Sequence, residues 1–179
     1  MRNVPLLVTC VSLALWTHAA AAQGTYRRAE LDSAGQLRIV LSTNQVVRPS
    51  KDSNQVAFAQ IALSADRRVV GWAALYPNCC TSYPIPLKLV LLRPDGGRTV
   101  ISNELPIWRW AFAAKGRTVV IRQAPVHGAA PVHYELREIR TGRLIATAEA
   151  NSASTTALPA WVSNAMSRQT SSAPLSKER

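Results

Sequence analysis

No long apolar run follows residue 22, no basic run exceeds two residues, and no Gly-x-Ser-x-Gly or equivalent nucleophile motif occurs anywhere in the 179-residue chain. The first absence excludes a spanning helix in the body of the chain, which needs about 20 apolar residues. The second argues against specific nucleic-acid binding, because a nucleic-acid footprint needs clustered charge and not only total charge. The third leaves hydrolytic catalysis without a recognisable centre. Aromatic residues make up only 6% of the chain and charged residues 17%, while hydrophobic residues reach 47% and the mean hydropathy is +0.00. Neither a disordered polyelectrolyte nor a polytopic membrane protein has that balance. One packed domain fits the length.

What is present begins at the N-terminus. Met1-Arg2 supplies a positive start, Val4 to Trp16 is an apolar stretch too short to span a bilayer, and Ala19 to Ala22 is a run of small residues. These are the n-region, h-region and cleavage site of a secretory signal peptide, and the segment resembles a bacterial export signal. Cleavage is expected after Ala22, leaving a mature chain of 157 residues without Cys10 or Arg2. The formal charge then falls from +11 to +10. The expected location is periplasmic or secreted, with no stable membrane insertion after cleavage. There a basic surface meets anionic envelope polymers more often than nucleic acid.

Residues 23–150 form the expected β domain. Gln36 to Leu41 alternates as a strand with Leu37, Ile39 and Leu41 on one face, while residues 23–35 and Val46 to Asn54 read as irregular. Four hairpins follow. Val56–Leu63 meets Arg68–Tyr76, Leu87–Arg93 meets Arg98–Ser102, Ile107–Ala113 meets Arg117–Gln123, and Val132–Ile139 meets Arg143–Glu149. The turns between them carry the Asp and Gly that positive φ or backbone capping requires. Trp108 and Trp110 alternate with Arg109 and Ala111, which places both indoles on one face, expected to be core with Trp72 packed beside them. Exposed, the same pair would be a docking surface for glycan or protein.

The hairpins also repeat. Ser64-Ala65-Asp66-Arg67-Arg68-Val69-Val70 matches Ala113 to Val119, and Asp95 to Val100 matches Arg140 to Ile145. Arg68 and Arg117 stand 49 positions apart, Arg98 and Arg143 stand 45 apart. Two units, about 56–102 and 107–149, resemble the blades of TolB-like and WD40-like β-propellers, although Arg67 follows Asp66 where that pattern prefers Gly. Two blades do not close a ring, so the expectation is an all-β chain of two four-stranded antiparallel units, arranged as a small sandwich or a partial propeller. An N-terminal strand precedes them. Residues 151–179 add a short helix over 159–167 that lays Trp161 on the sheet, followed by a disordered tail.

The sharpest chemistry lies in Cys79-Cys80, the two cysteines that survive signal removal. In an oxidising compartment they are expected to form a disulfide. A bridge between neighbours is strained, since their Cα atoms are held about 3.8 Å apart. Three uses follow: a ring that stiffens the loop, a bond between two copies that makes a homodimer, or a labile redox or ligand-gripping element. The repeat sets the Cys79-Cys80 loop beside the loop holding His127, gathering Cys79, Cys80, His127, Tyr83 and Tyr76 on one edge. Adjacent cysteines chelate a single ion awkwardly and match no standard zinc spacing, so no metal and no other cofactor is expected. The function read from these residues is an exported, non-enzymatic β-repeat module that binds a protein or envelope component through this edge. The rival readings are a thiol/disulfide redox or metal-binding protein using Cys79-Cys80, and a binder of anionic envelope glycopolymer.

Overall fold

The computed structural model describes residues 24–128, 131–150 and 157–169. Residues 1–23, 129–130, 151–156 and 170–179 lie outside them, and with them the expected signal segment and the expected disordered tail. Three antiparallel sheets follow one another along the chain. The first holds β1 (Tyr26–Leu31), β2 (Leu37–Leu41) and the two-residue β3 (Val46–Val47). The second is a meander of β4 (Ala57–Leu63), β5 (Val70–Tyr76), β6 (Ile85–Leu92) and β7 (Arg98–Ser102). The third repeats it with β8 (Ile107–Ala113), β9 (Thr118–Gln123), β10 (Val132–Glu138) and β11 (Leu144–Ala150). A single helix, α1 (Ala160–Gln169), closes the described chain. The two four-stranded units are therefore present, and no sheet closes into a ring.

The sheets stack as layers rather than pairing as a two-sheet sandwich. Val70, Trp72 and Val90 point from the second sheet towards Tyr26, Leu37, Ile39 and Leu41 of the first, with Phe58 among them. From the opposite face Leu89, Leu91 and Ile101 meet Ile107, Trp110, Val119 and Ile121 of the third. The middle sheet is thus buried on both faces. That explains why β5 and β6 read as nearly continuous apolar runs instead of alternating. The far face of the third sheet is covered by α1, whose Val162 and Ala165 are buried, with Ala165 against Ala111 and Val120 and with Trp161 packed alongside. The helix follows Pro159, whose carbonyl accepts from the Val162 and Ser163 amides at 2.9 and 3.2 Å.

Several expectations change. Residues 26–31 form a strand although Arg27, Arg28 and Glu30 make them polar, because Tyr26 and Ala29 alone turn inward and pair across to Leu41 and Ile39. Val46 and Val47 add a short third strand where a loop was expected. Trp72 does not join Trp110: it faces the first sheet, edge-on to Phe58 at 6.4 Å between ring centroids. Trp110 instead packs over Gly71, and Phe112 meets it edge-on at 5.1 Å. A β-bulge between Ile107 and Arg109 breaks the period of two, so Trp108 leaves the core face and donates its indole N–H to the Ala124 carbonyl at 2.8 Å.

Candidate functional site

The meander topology puts the β5–β6 and β9–β10 connections at one end of the molecule and the tight turns at the other. The β5–β6 loop, residues 77–84, is organised by Asn78. Its side-chain oxygen accepts from the Cys80 amide at 3.2 Å, and its nitrogen donates to Thr81 Oγ1 at 3.2 Å. Thr81 in turn donates to the Tyr83 carbonyl at 2.5 Å. This Asx-type turn shapes the backbone without regular pairing and leaves Cys79 and Cys80 at the surface.

The expected Cys79–Cys80 bridge is not formed in this structure. Both residues are exposed thiols with sulfurs 2.8 Å apart, beyond the roughly 2.05 Å of a disulfide bond. Their proximity holds the Cys80 thiol above its ordinary range. A hydrogen bond with Cys79, followed by charge repulsion from that neighbour, disfavours the Cys80 thiolate. His127 reaches this loop through its backbone: Nε2 lies 3.3 Å from the Cys80 carbonyl oxygen. A carbonyl only accepts, so this contact requires a proton on Nε2. The imidazole therefore ties the two loops together through the Cys80 backbone.

Tyr76 sits elsewhere. It is buried at the end of β5, and its hydroxyl donates to Asp52 Oδ2 at 2.7 Å. Lys88 donates to the same oxygen at 2.7 Å and lies over the Tyr76 ring at 4.9 Å. Partial burial opposes the Asp52 charge, yet the hydrogen bonds from Lys88 and Tyr76 outweigh it and hold the carboxyl below its usual 3.8. Tyr76 is raised above 10.0, first by burial and then by its bond to Asp52. Lys88 is raised above 10.5 by the same partners. This trio braces the root of the loop. Neither Asp52 nor Lys88 is evident from sequence, because 36 positions separate them and neither lies in a motif.

Tyr83 projects from the loop at 51% exposure, beside Val56 at 42%. Both line a shallow cavity of about 260 Å³ together with Pro77, Asn78, Thr81 and Pro84. Here the geometry offers an apolar, hydrogen-bond-bearing recess next to two nucleophilic sulfurs. Among the described residues no group of three or more His, Cys, Asp or Glu is placed to hold a metal ion. Comparison with protein families, curated proteins and solved structures finds no match to this chain.

Proposed function

We propose that the chain is an exported, non-enzymatic β-repeat module of the bacterial envelope, which binds a protein or envelope component through the edge carrying Tyr83, Cys79, Cys80 and His127. The observation that carries this reading is the pairing of Tyr83 and Val56, two large exposed apolar residues, around one recess on a loop held by its own side-chain hydrogen bonds. Apolar side chains exposed together on a preorganised loop are what a docking surface needs, because little ordering entropy is then lost on binding. The two four-stranded units are read as blade repeats of the TolB-like or WD40-like kind, on the strength of their matched turns and spacing. Export rests on the N-terminal segment.

Retention of envelope components on the immobilised mature chain tests the reading. Tyr83→Ser is expected to weaken retention about tenfold or more, as removal of an aromatic anchor does. Equal retention by wild type and Tyr83→Ser, at equal folding, sinks it. Recovery of the protein from the exported fraction with Gln23 at its N-terminus tests the compartment, and a chain still starting at Met1 there contradicts it.

A second reading is favoured by the sulfur separation of 2.8 Å between two exposed thiols. In it, one thiolate of the pair attacks a disulfide of a partner, releasing one partner thiolate and forming a mixed disulfide. The other cysteine then attacks the bonded sulfur, closing the vicinal ring and releasing the second partner thiol. The pair is oxidised by two electrons and the partner disulfide is reduced by two. Thiol counting after equilibration with oxidised glutathione separates the readings. Loss of both thiols within one chain supports exchange, whereas two persistent thiols or a disulfide-linked dimer exclude it.

A further inference from the structure

The turn end of the molecule, remote from the thiol loop, holds a cleft of about 420 Å³ whose floor is formed by Val69 and Ile139. Arg68, Arg93, Arg117 and Arg140 line it, with Asp66, Asp95 and Glu138. Two of these arginines are set side by side by the backbone, because the Ile139 amide donates to the Arg117 carbonyl at 3.1 Å and Arg140 follows directly. A third is tied in through Thr99, whose hydroxyl donates to the Arg140 carbonyl at 3.0 Å and accepts from Arg93 Nη1 at 3.3 Å. Gly116 permits the approach: its φ of +83° is a left-handed conformation, and a Cβ there would stand 2.9 Å from Ser64.

The three carboxylates are engaged by their own turns. Asp66 Oδ1 accepts from Ser64 Oγ at 2.6 Å and from the Arg68 amide at 3.1 Å. Asp95 Oδ1 accepts from the Gly97 amide at 2.7 Å and lies 3.7 Å from Arg93 Nε. Glu138 Oε2 accepts from Thr141 Oγ1 at 2.7 Å and lies 3.7 Å from Arg143 Nε, outside the cleft lining. The guanidinium of Arg117, by contrast, makes one long bond of 3.4 Å to the neighbouring Ala114 carbonyl. Exposed Arg140 makes no side-chain hydrogen bond or ion pair among the described residues. Two planar forks thus stand at one mouth, Arg117 engaged only through Nε and Arg140 through none of its donors, the arrangement that recognises a tetrahedral or planar oxyanion bidentately.

We propose that this cleft is a second binding site, for a phosphate-type oxyanion, with Arg117 and Arg140 as its principal donors and Arg93 as support. The anion is either free or carried on a polymer chain. This site does not depend on the function assigned to the thiol loop.

Nitrogen-15 NMR of the arginine side chains of the mature protein, titrated with inorganic phosphate and separately with polyphosphate, tests it at constant ionic strength. Saturable shifts are expected at the Nε–H groups of Arg117 and Arg140, with Arg48 and Arg122 unmoved. Arg140→Gln is expected to weaken binding about tenfold, the cost of losing a charge-assisted donor. Arg117→Gln provides an independent variant, and both sites are exposed, so the fold is expected to survive. Saturation by inorganic phosphate assigns the free anion, and a response to polyphosphate alone assigns the polymer-borne group. Shifts spread evenly over all arginines, no saturation with either probe, or unchanged affinity in both variants overturns the proposal.

Discussion

Gly71 occupies a place on β5 where no side chain fits, since a Cβ would run into the Trp110 indole and stand 3.0 Å from Leu91. The glycine lets the Trp110 indole of the third sheet pack directly against the second. Gly71→Ala is therefore expected to destabilise the protein by about 1–3 kcal/mol through overpacking, read as a lower denaturant midpoint with an unchanged slope. An unchanged midpoint would show that the indole simply moves aside. Asp52 makes a different kind of contribution. Its lowered pKa means the stability it adds is fully present above the ordinary 3.8 and is lost as pH falls through the lowered value. Lys88 and Tyr76 are raised, so theirs is present at neutral pH and is lost as pH climbs past the upper end of their range. Asp52→Asn should cost about 1–2 kcal/mol at neutral pH, because a partly exposed hydrogen-bonded ion pair is worth little more. In acid the difference from wild type should shrink. A difference that stays constant from neutral pH down to pH 2 would contradict the assignment of that charge.

Ala165 of α1 is 3% exposed against Ala111 and Val120, and Arg109 donates to the Met166 carbonyl at 2.7 Å, near the negative end of the helix dipole. Ala165→Asp should detach the helix, at a cost of about 2–4 kcal/mol for a buried unpaired carboxylate. Amide exchange is expected to accelerate in α1 and β8 while β5 and β6 stay protected. Uniform acceleration through all three sheets would show instead that the helix is integral to the core. Sequence periodicity resolved these elements unevenly. Strands with strong alternation, such as β2 and β7, stand out, and Gly and Asp mark the turns because positive φ and backbone capping leave few alternatives. β1 does not stand out, since only Tyr26 and Ala29 of its residues face inward and its pairing is supplied by β2. The bulge in β8 likewise leaves no local signature, which is why Trp108 reads as core and stands apart from it.

Across the whole molecule, what the sequence conceals is which face meets which. Alternation tells that Trp72 and Trp110 are inward, but the middle sheet has two insides, and the indoles sit on opposite sides of it. The first sheet has three strands and the second has four, so the outermost β7 is left partly uncovered, with Val100 45% exposed and Arg98 over the Trp72 ring at 5.9 Å. The candidate site follows the same pattern. The cysteine pair and the loop bearing His127 are visible as residues, and the repeat predicts that their loops adjoin. The bracing of Tyr76 by Asp52 and Lys88 is a product of folding, as is the meeting of four arginines at the turn end. Because the middle sheet shares a core with each neighbour, unfolding is expected to be one cooperative transition. Trp72→Ala and Trp110→Ala should each cost about 3–5 kcal/mol and lower the same transition. Two separated transitions in either variant would show that the layers fold independently.

The most direct test of the proposed binding edge is site-specific photocross-linking in cells that make the full chain, with a benzophenone side chain placed at Tyr83 and, as control, at the exposed Ile145 on the outer strand β11. A discrete adduct is expected from position 83 and none from position 145. No adduct at 83, or adducts of equal yield at both positions, would contradict a docking role for Tyr83.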